Sequence, residues 1–136
     1  MERRLARIGA LLLWLWSAAM YTVGGVGVWV AIDRGRFVDS GYVPSMGGFS
    51  NLLLVLFAGV GAALGLTAGT VLLLVGAAVW RQKPLAYLAG IVFPVAGILI
   101  ATLIGIHTYV FMPAVLLGGA QIACLFIAWL EHRKAA

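Results

Sequence analysis

Residues 84–130 read PLAYLAGIVFPVAGILIATLIGIHTYVFMPAVLLGGAQIACLFIAWL, 47 consecutive positions without Asp, Glu, Lys or Arg. A helix that crosses the hydrocarbon of a bilayer needs about 20 apolar residues, so this stretch holds two spans joined by a tight turn around His107, Thr108 and Pro113. Working outward, residues 40–80 form a second charge-free interval of 41 positions and residues 8–32 a third of 25. Each of these holds one span. The sequence therefore predicts an all-α, polytopic integral membrane protein with four transmembrane helices, organised as a single membrane domain over residues 1–136.

Composition points the same way. The chain is 64% hydrophobic and 10% charged, against about 25% charged residues in a soluble domain. Its net charge of +5 does not read as nucleic-acid binding, because the basic residues flank apolar runs, where they meet anionic lipid. The first run follows Arg3, Arg4 and Arg7 but is too long for the core of a cleaved signal peptide, so it reads as a retained anchor.

The basic residues also orient the chain. With four spans, Arg3, Arg4, Arg7, Arg81, Lys83, Arg133 and Lys134 fall on one side, and only Arg34 and Arg36, balanced by Asp33 and Asp39, on the other. Positive residues mark the cytoplasmic side, which places both termini in the cytoplasm and the protein in the inner (plasma) membrane. Trp80, Tyr87 and Trp129 fall at the inner boundary, and Trp29 and Tyr109 at the outer one. The expected spans are 8–32, 51–79, 84–107 and 109–130, with an outer loop over 33–50. Pro84 suits the first turn of the third helix. The loop mixes turn formers with Phe37, Tyr42, Val43, Met46 and Phe49, and so reads as a surface or partner contact or as a connector.

Within the spans, small residues recur on one face. At about 100° per residue, Gly61, Gly65, Gly69 and Gly76 of the second helix fall within an arc of about 80°. The third repeats this with Gly90, Gly97, Ala101 and Gly105, and Pro94 projects from the same face. Close van der Waals approach of this kind drives helix association in lipid. The two faces are expected to meet each other, or one of them to dock another subunit. The first helix has a different face, built from Ala10, Trp14, Ser17, Tyr21 and Gly24.

Residues able to carry chemistry are few. Ser17, Tyr21, Thr67, Gln121 and Cys124 form a candidate neutral polar patch near the midplane; the alternative is that the Ser and Thr hydroxyls bond back to their own helices while Gln121 joins two helices. His107 is a candidate interfacial ligand or quinone contact. It lies at the opposite end of the spans from His132, which argues against bis-histidine haem within one chain. A single cysteine excludes an internal disulfide or dithiol pair. No metal-ligand spacing, phosphate-binding glycine loop or carboxylate pair is present. No cofactor is indicated and no catalytic residue is assigned. An enzyme acting on lipid would have to draw on Asp33, Asp39 and His107 outside, or on Glu131 and His132 inside, and nothing in their spacing brings them together.

Two functions fit these residues. The first is a non-catalytic accessory subunit of a larger inner-membrane complex, of transport or respiratory type, whose partners are the bilayer and other membrane subunits. The alternative is a small self-associating transporter or channel for a neutral solute.

Overall fold

The computed structural model describes the backbone over residues 2–39, 46–103 and 111–135, and side chains over 3–34, 52–99 and 112–134. The described residues form four helices: α1 Glu2–Asp39, α2 Met46–Trp80, α3 Pro84–Leu103 and α4 Phe111–Ala135. There are no strands among the described residues. Three stretches, Arg3–Arg34, Leu52–Trp80 and Met112–Lys134, are long and apolar enough to cross a membrane, and Pro84–Leu99 is a shorter apolar helix. Their most apolar windows are only 17%, 17% and 22% buried within the chain. Most of their apolar surface therefore faces outward, with Phe57, Leu85 and Leu116 among the most exposed side chains.

The helices outrun the charge-free intervals that announced them. α1 continues through Asp33 to Asp39, and α2 already begins at Met46. The expected 33–50 loop is thus helical at both ends, and only 40–45 lies outside the described residues. A charge marks where a helix leaves hydrocarbon, whereas the backbone hydrogen-bond ladder can continue into the polar zone. Glycine within it costs only about 1 kcal/mol relative to alanine. For the same reason α1 starts at Glu2 and α4 runs on to Ala135.

The chain divides into two compact units, Ser17–Val71 and Met1–Trp16 with Leu72–Ala136. In the smaller unit, α1 and α2 run antiparallel in close contact. A Cβ placed on Gly65 would lie 2.8 Å from the Gly24 nitrogen and 2.9 Å from the Met20 carbonyl oxygen. One on Gly27 would lie 2.8 Å from the Ala58 carbonyl oxygen. These obstacles are backbone atoms, which cannot rotate away as a side chain can.

In the larger unit, Leu125 of α4 is fully buried and occupies the space left by two missing side chains. Cβ atoms on Gly9 of α1 and Gly90 of α3 would both collide with it. The Gly90 position is also 3.2 Å from Leu13 and 3.8 Å from Val75, so parts of all four helices converge there. Ala6, Ala10, Leu13, Leu72, Val79, Ala86, Tyr87 and Ala128 are buried in the same unit.

The pairing of faces differs from the expected one. Gly65 and Gly69 of α2 lie against Met20, Gly24, Ser17 and Tyr21 of α1, and Gly76 lies against Trp14 and Ala10. The α2 glycines thus meet the α1 face of Ala10, Trp14, Ser17, Tyr21 and Gly24. Proximity in sequence across a three-residue turn suggested α3 as their partner, but α1 supplies both small residues and hydroxyls that reach the carbonyls bared by glycine. Among the described residues, Cβ positions on Gly61 and Gly97 meet nothing within 4 Å. The side chain of Ala101, and Gly105 altogether, lie outside the described residues.

Two substitutions on the same α2 face should therefore separate cleanly. Gly65→Ala forces the α1 and α2 backbones apart and is expected to cost about 1–3 kcal/mol, the usual range for overpacking. Gly61→Ala meets open space and should leave stability unchanged or raise it by up to about 1 kcal/mol. Thermal unfolding of the purified protein, followed by circular dichroism, checks this, and equal melting temperatures for the two variants would refute the packing described.

Candidate functional site

Pro94 stands inside α3. A proline has no backbone N–H, so the carbonyl four residues earlier loses its helical partner. Here that carbonyl belongs to Gly90, and the fully buried Gln121 of α4 fills the gap: its Nε2 donates to the Gly90 oxygen at 2.8 Å. Gly90 offers no side chain to obstruct the approach. On α4, Gly118, Gln121, Leu125 and Ala128 are spaced by three or four residues and so share one face. All four are buried, and a Cβ on Gly118 would lie 3.4 Å from the Pro94 ring. A proline is tolerated in an apolar helix when a neighbouring helix satisfies the freed group in this way. The Gln121 Oε1 atom has no hydrogen-bond partner, so the amide serves this junction as a donor.

In the smaller unit, the Ser17 hydroxyl donates to the Gly69 carbonyl oxygen at 2.7 Å. Thr70 Oγ1 donates to the Leu66 carbonyl at 2.8 Å and lies 2.8 Å from the Tyr21 hydroxyl. Because the one hydroxyl proton of Thr70 goes to Leu66, Tyr21 is the donor in that pair. Thr67 bonds back to the Ala63 and Leu64 carbonyls of its own helix, and Thr22 to Ala18.

The five residues expected in a midplane patch thus divide between the units. Ser17, Tyr21 and Thr67 belong to the smaller one, and Gln121 and Cys124 to the larger. Ser17, Tyr21 and Gln121 each bridge two helices, Thr67 serves its own, and Cys124 is a half-buried free thiol. His107 lies outside the described residues. No cluster of three or more metal-ligating side chains occurs among the described residues.

A second polar region occupies the charged end of the larger unit. α2 ends there in a Schellman turn: the Gln82 N–H bonds to the Val79 carbonyl at 2.8 Å and the Lys83 N–H to Ala78 at 3.0 Å. The position that closes such a turn favours glycine, yet here it is Gln82 with φ 57°. A side chain in this left-handed conformation costs about 1–2 kcal/mol. Pro84 then opens α3. Beside the turn, the Trp14 and Trp80 rings stack at 5.5 Å, the Trp14 indole N–H reaches the Leu73 carbonyl at 3.4 Å, and the Arg7 guanidinium sits over Trp80 at 5.3 Å. Gly76 makes room for the Trp14 ring, whose nitrogen lies 2.6 Å from where a Cβ would be. At the same end, Tyr87 contacts His132 at 6.0 Å between ring centroids and Arg133 lies over Trp129 at 4.9 Å.

That Gln121 joins two helices was expected from the sequence, whereas its Gly90 partner and the arginine–tryptophan stack were not, although the partner was encoded. Proline at 94 frees the carbonyl at 90 by a fixed offset of four, and Gln121 is the one carboxamide in residues 84–130. Replacing Gln121 by Leu removes the donor, so its cost should depend on whether α3 can satisfy Gly90 itself. In a double-mutant cycle, Gln121→Leu is expected to cost about 1 kcal/mol more with Pro94 than with Pro94→Ala, which restores the N–H. Additive changes in thermal stability would sink this reading. The chain matches no protein-family model, no curated protein and no solved structure.

Proposed function

We propose that this chain is a four-span subunit of a larger inner-membrane complex, non-catalytic itself, that positions or stabilises a transporting or respiratory partner by helix packing. The observation that carries the reading is the use of polar groups at depth: Ser17, Tyr21 with Thr70, and Gln121 each join two helices. Ionisable side chains at bilayer depth are the usual mark of proton and ion pathways, and Asp, Glu, Lys and Arg are absent from all three apolar intervals. The outward apolar surface of the helices suits hydrocarbon, in which backbone groups must find partners within the protein. Gly61 and Gly97, with open space where a side chain would stand, leave smooth positions on α2 and α3 for a helix of another subunit.

Orientation is part of the same proposal. The start of α1, the α2–α3 turn and the end of α4 carry Arg3, Arg7, Arg81, Lys83, Arg133 and Lys134, and the contacts of Arg7 with Trp80 and of Tyr87 with His132 gather these segments at one end of the larger unit. Basic residues favour the cytoplasmic side, so both termini face the cytoplasm.

Two measurements address this directly. A reporter that functions only in the cytoplasm should be active when fused to either terminus, and activity at only one would mean an odd number of spans. The tagged chain, recovered from its native membrane in mild detergent, should bring a second membrane protein with it in fixed proportion. Recovery alone, as monomer or homo-oligomer, would overturn the subunit reading, and solute flux from such an oligomer in liposomes would favour a self-associating transporter.

A further inference from the structure

The basic end of the larger unit contains a cavity of about 260 Å³ lined by Arg3, Ala6, Arg7, Trp80, Arg81 and Gln82. Three of its six lining residues are arginines, drawn from two separate places in the chain. Arg3 and Arg7 are four residues apart on α1 and so share a face, whereas Arg81 is delivered by the Schellman turn. Among the described residues, none of those lining the cavity carries a carboxylate. Solvent weakens the mutual repulsion of three exposed guanidiniums, and an anion that shares their space relieves what remains; the arginine fork matches phosphate oxygens better than any other side chain does.

The three arginines are exposed, and one of them, Arg7, is held in place by aromatic contacts. Arg7 is held over Trp80, Trp80 is stacked on Trp14, and Trp14 is tied to the Leu73 carbonyl. Ala6, 1% exposed, forms a small apolar floor. Gln82 lines the cavity from a left-handed backbone position that glycine would occupy without strain. Strain retained at one residue is a mark of a side chain kept for use, and the Gln82 carboxamide supplies N–H donors that glycine would not.

We propose that this cavity binds the phosphate of an anionic phospholipid headgroup, an assignment that rests on the membrane placement proposed above but not on any protein partner. Phosphate is the chemistry the three arginines recognise, and its source is argued from location. The cavity opens at the end of apolar helices beside Trp80, an indole of the kind that settles at headgroup level. Basic pockets between helices on the cytoplasmic side take lipid headgroups in this way. Its volume falls below the range for drug-sized ligands, as suits a phosphate with part of its esterified alcohol, the acyl chains lying along the helices outside.

The full chain, purified in mild detergent and stripped of lipid, is titrated with phosphatidylglycerol or phosphatidylcholine, and bound lipid is counted by native mass spectrometry. Phosphatidylglycerol should bind at least about tenfold more tightly than phosphatidylcholine, and the combined change Arg3→Gln, Arg7→Gln and Arg81→Gln should abolish that preference. Arg133→Gln, at the same end but outside the cavity, should leave it unchanged. Gln82→Gly should raise the melting temperature while weakening phosphatidylglycerol binding, a pair of opposite effects that damage to the fold cannot produce. An equal loss in Arg133→Gln, or no preference in the unaltered protein, would overturn the site. Displacement of the lipid by millimolar inorganic phosphate would overturn its assignment to lipid and point to a soluble phosphate. Extraction of membranes with alkaline carbonate keeps the two readings apart: release of the chain defeats the membrane placement, whereas a retained chain without lipid preference defeats only the headgroup site.

Discussion

One backbone carbonyl organises the larger unit. Pro94 deprives the Gly90 oxygen of its helical donor, and a bare carbonyl in apolar surroundings is costly enough that the surrounding structure must answer it. The answer is Gln121, carried on the α4 face that also presents Gly118 to the Pro94 ring and Leu125 to Gly90. Once the amide is in place, the register of α3 on α4 follows, because only one alignment brings position 121 opposite position 90. Leu125, one turn further on, then enters the space under Gly9 and Gly90 and draws α1 into the same core.

The smaller unit reaches a similar end by different means. There the glycines remove bulk so that two backbones can approach, and the hydroxyls of Ser17 and Tyr21 bond across the narrowed gap. Each bond is worth only about 1 kcal/mol, since the separated helices would find other partners. Their larger effect is on geometry: Ser17 reaches the Gly69 oxygen only where no side chain intervenes. Glycine and hydroxyl are therefore one device. This explains why the α2 stripe is matched to α1.

At the charged end the ordering element is aromatic. Arg7 sits over the Trp80 ring and Trp80 stacks with Trp14, so a flexible basic side chain is held in a defined place by a rigid ring. Trp14 in turn fits because position 76 is glycine. The same absence of bulk that brings helices together elsewhere thus reaches the basic cavity through two indoles. A chain of contacts thus runs from Gly76 to the proposed headgroup site.

The number and class of the helices were legible in the sequence, because charge is excluded from hydrocarbon and its positions record where the apolar runs stop. The composition of the faces was also legible: Ala10, Trp14, Ser17, Tyr21 and Gly24 on α1, and Gly65, Gly69 and Gly76 on α2, share a side by periodicity alone. Their pairing was not, since periodicity says which residues look the same way and nothing about what they look at. Helix ends escaped as well, because hydrogen-bond ladders continue past the last apolar residue, through Asp33 to Asp39 in α1. That Gln121 joins two helices was legible too, but its partner needed the tertiary structure. Pro94 alone announces a carbonyl in need of a donor, but which donor comes within 2.8 Å depends on the packing of two helices across 31 residues of chain, and contacts of that range are decided by shape and not by local sequence.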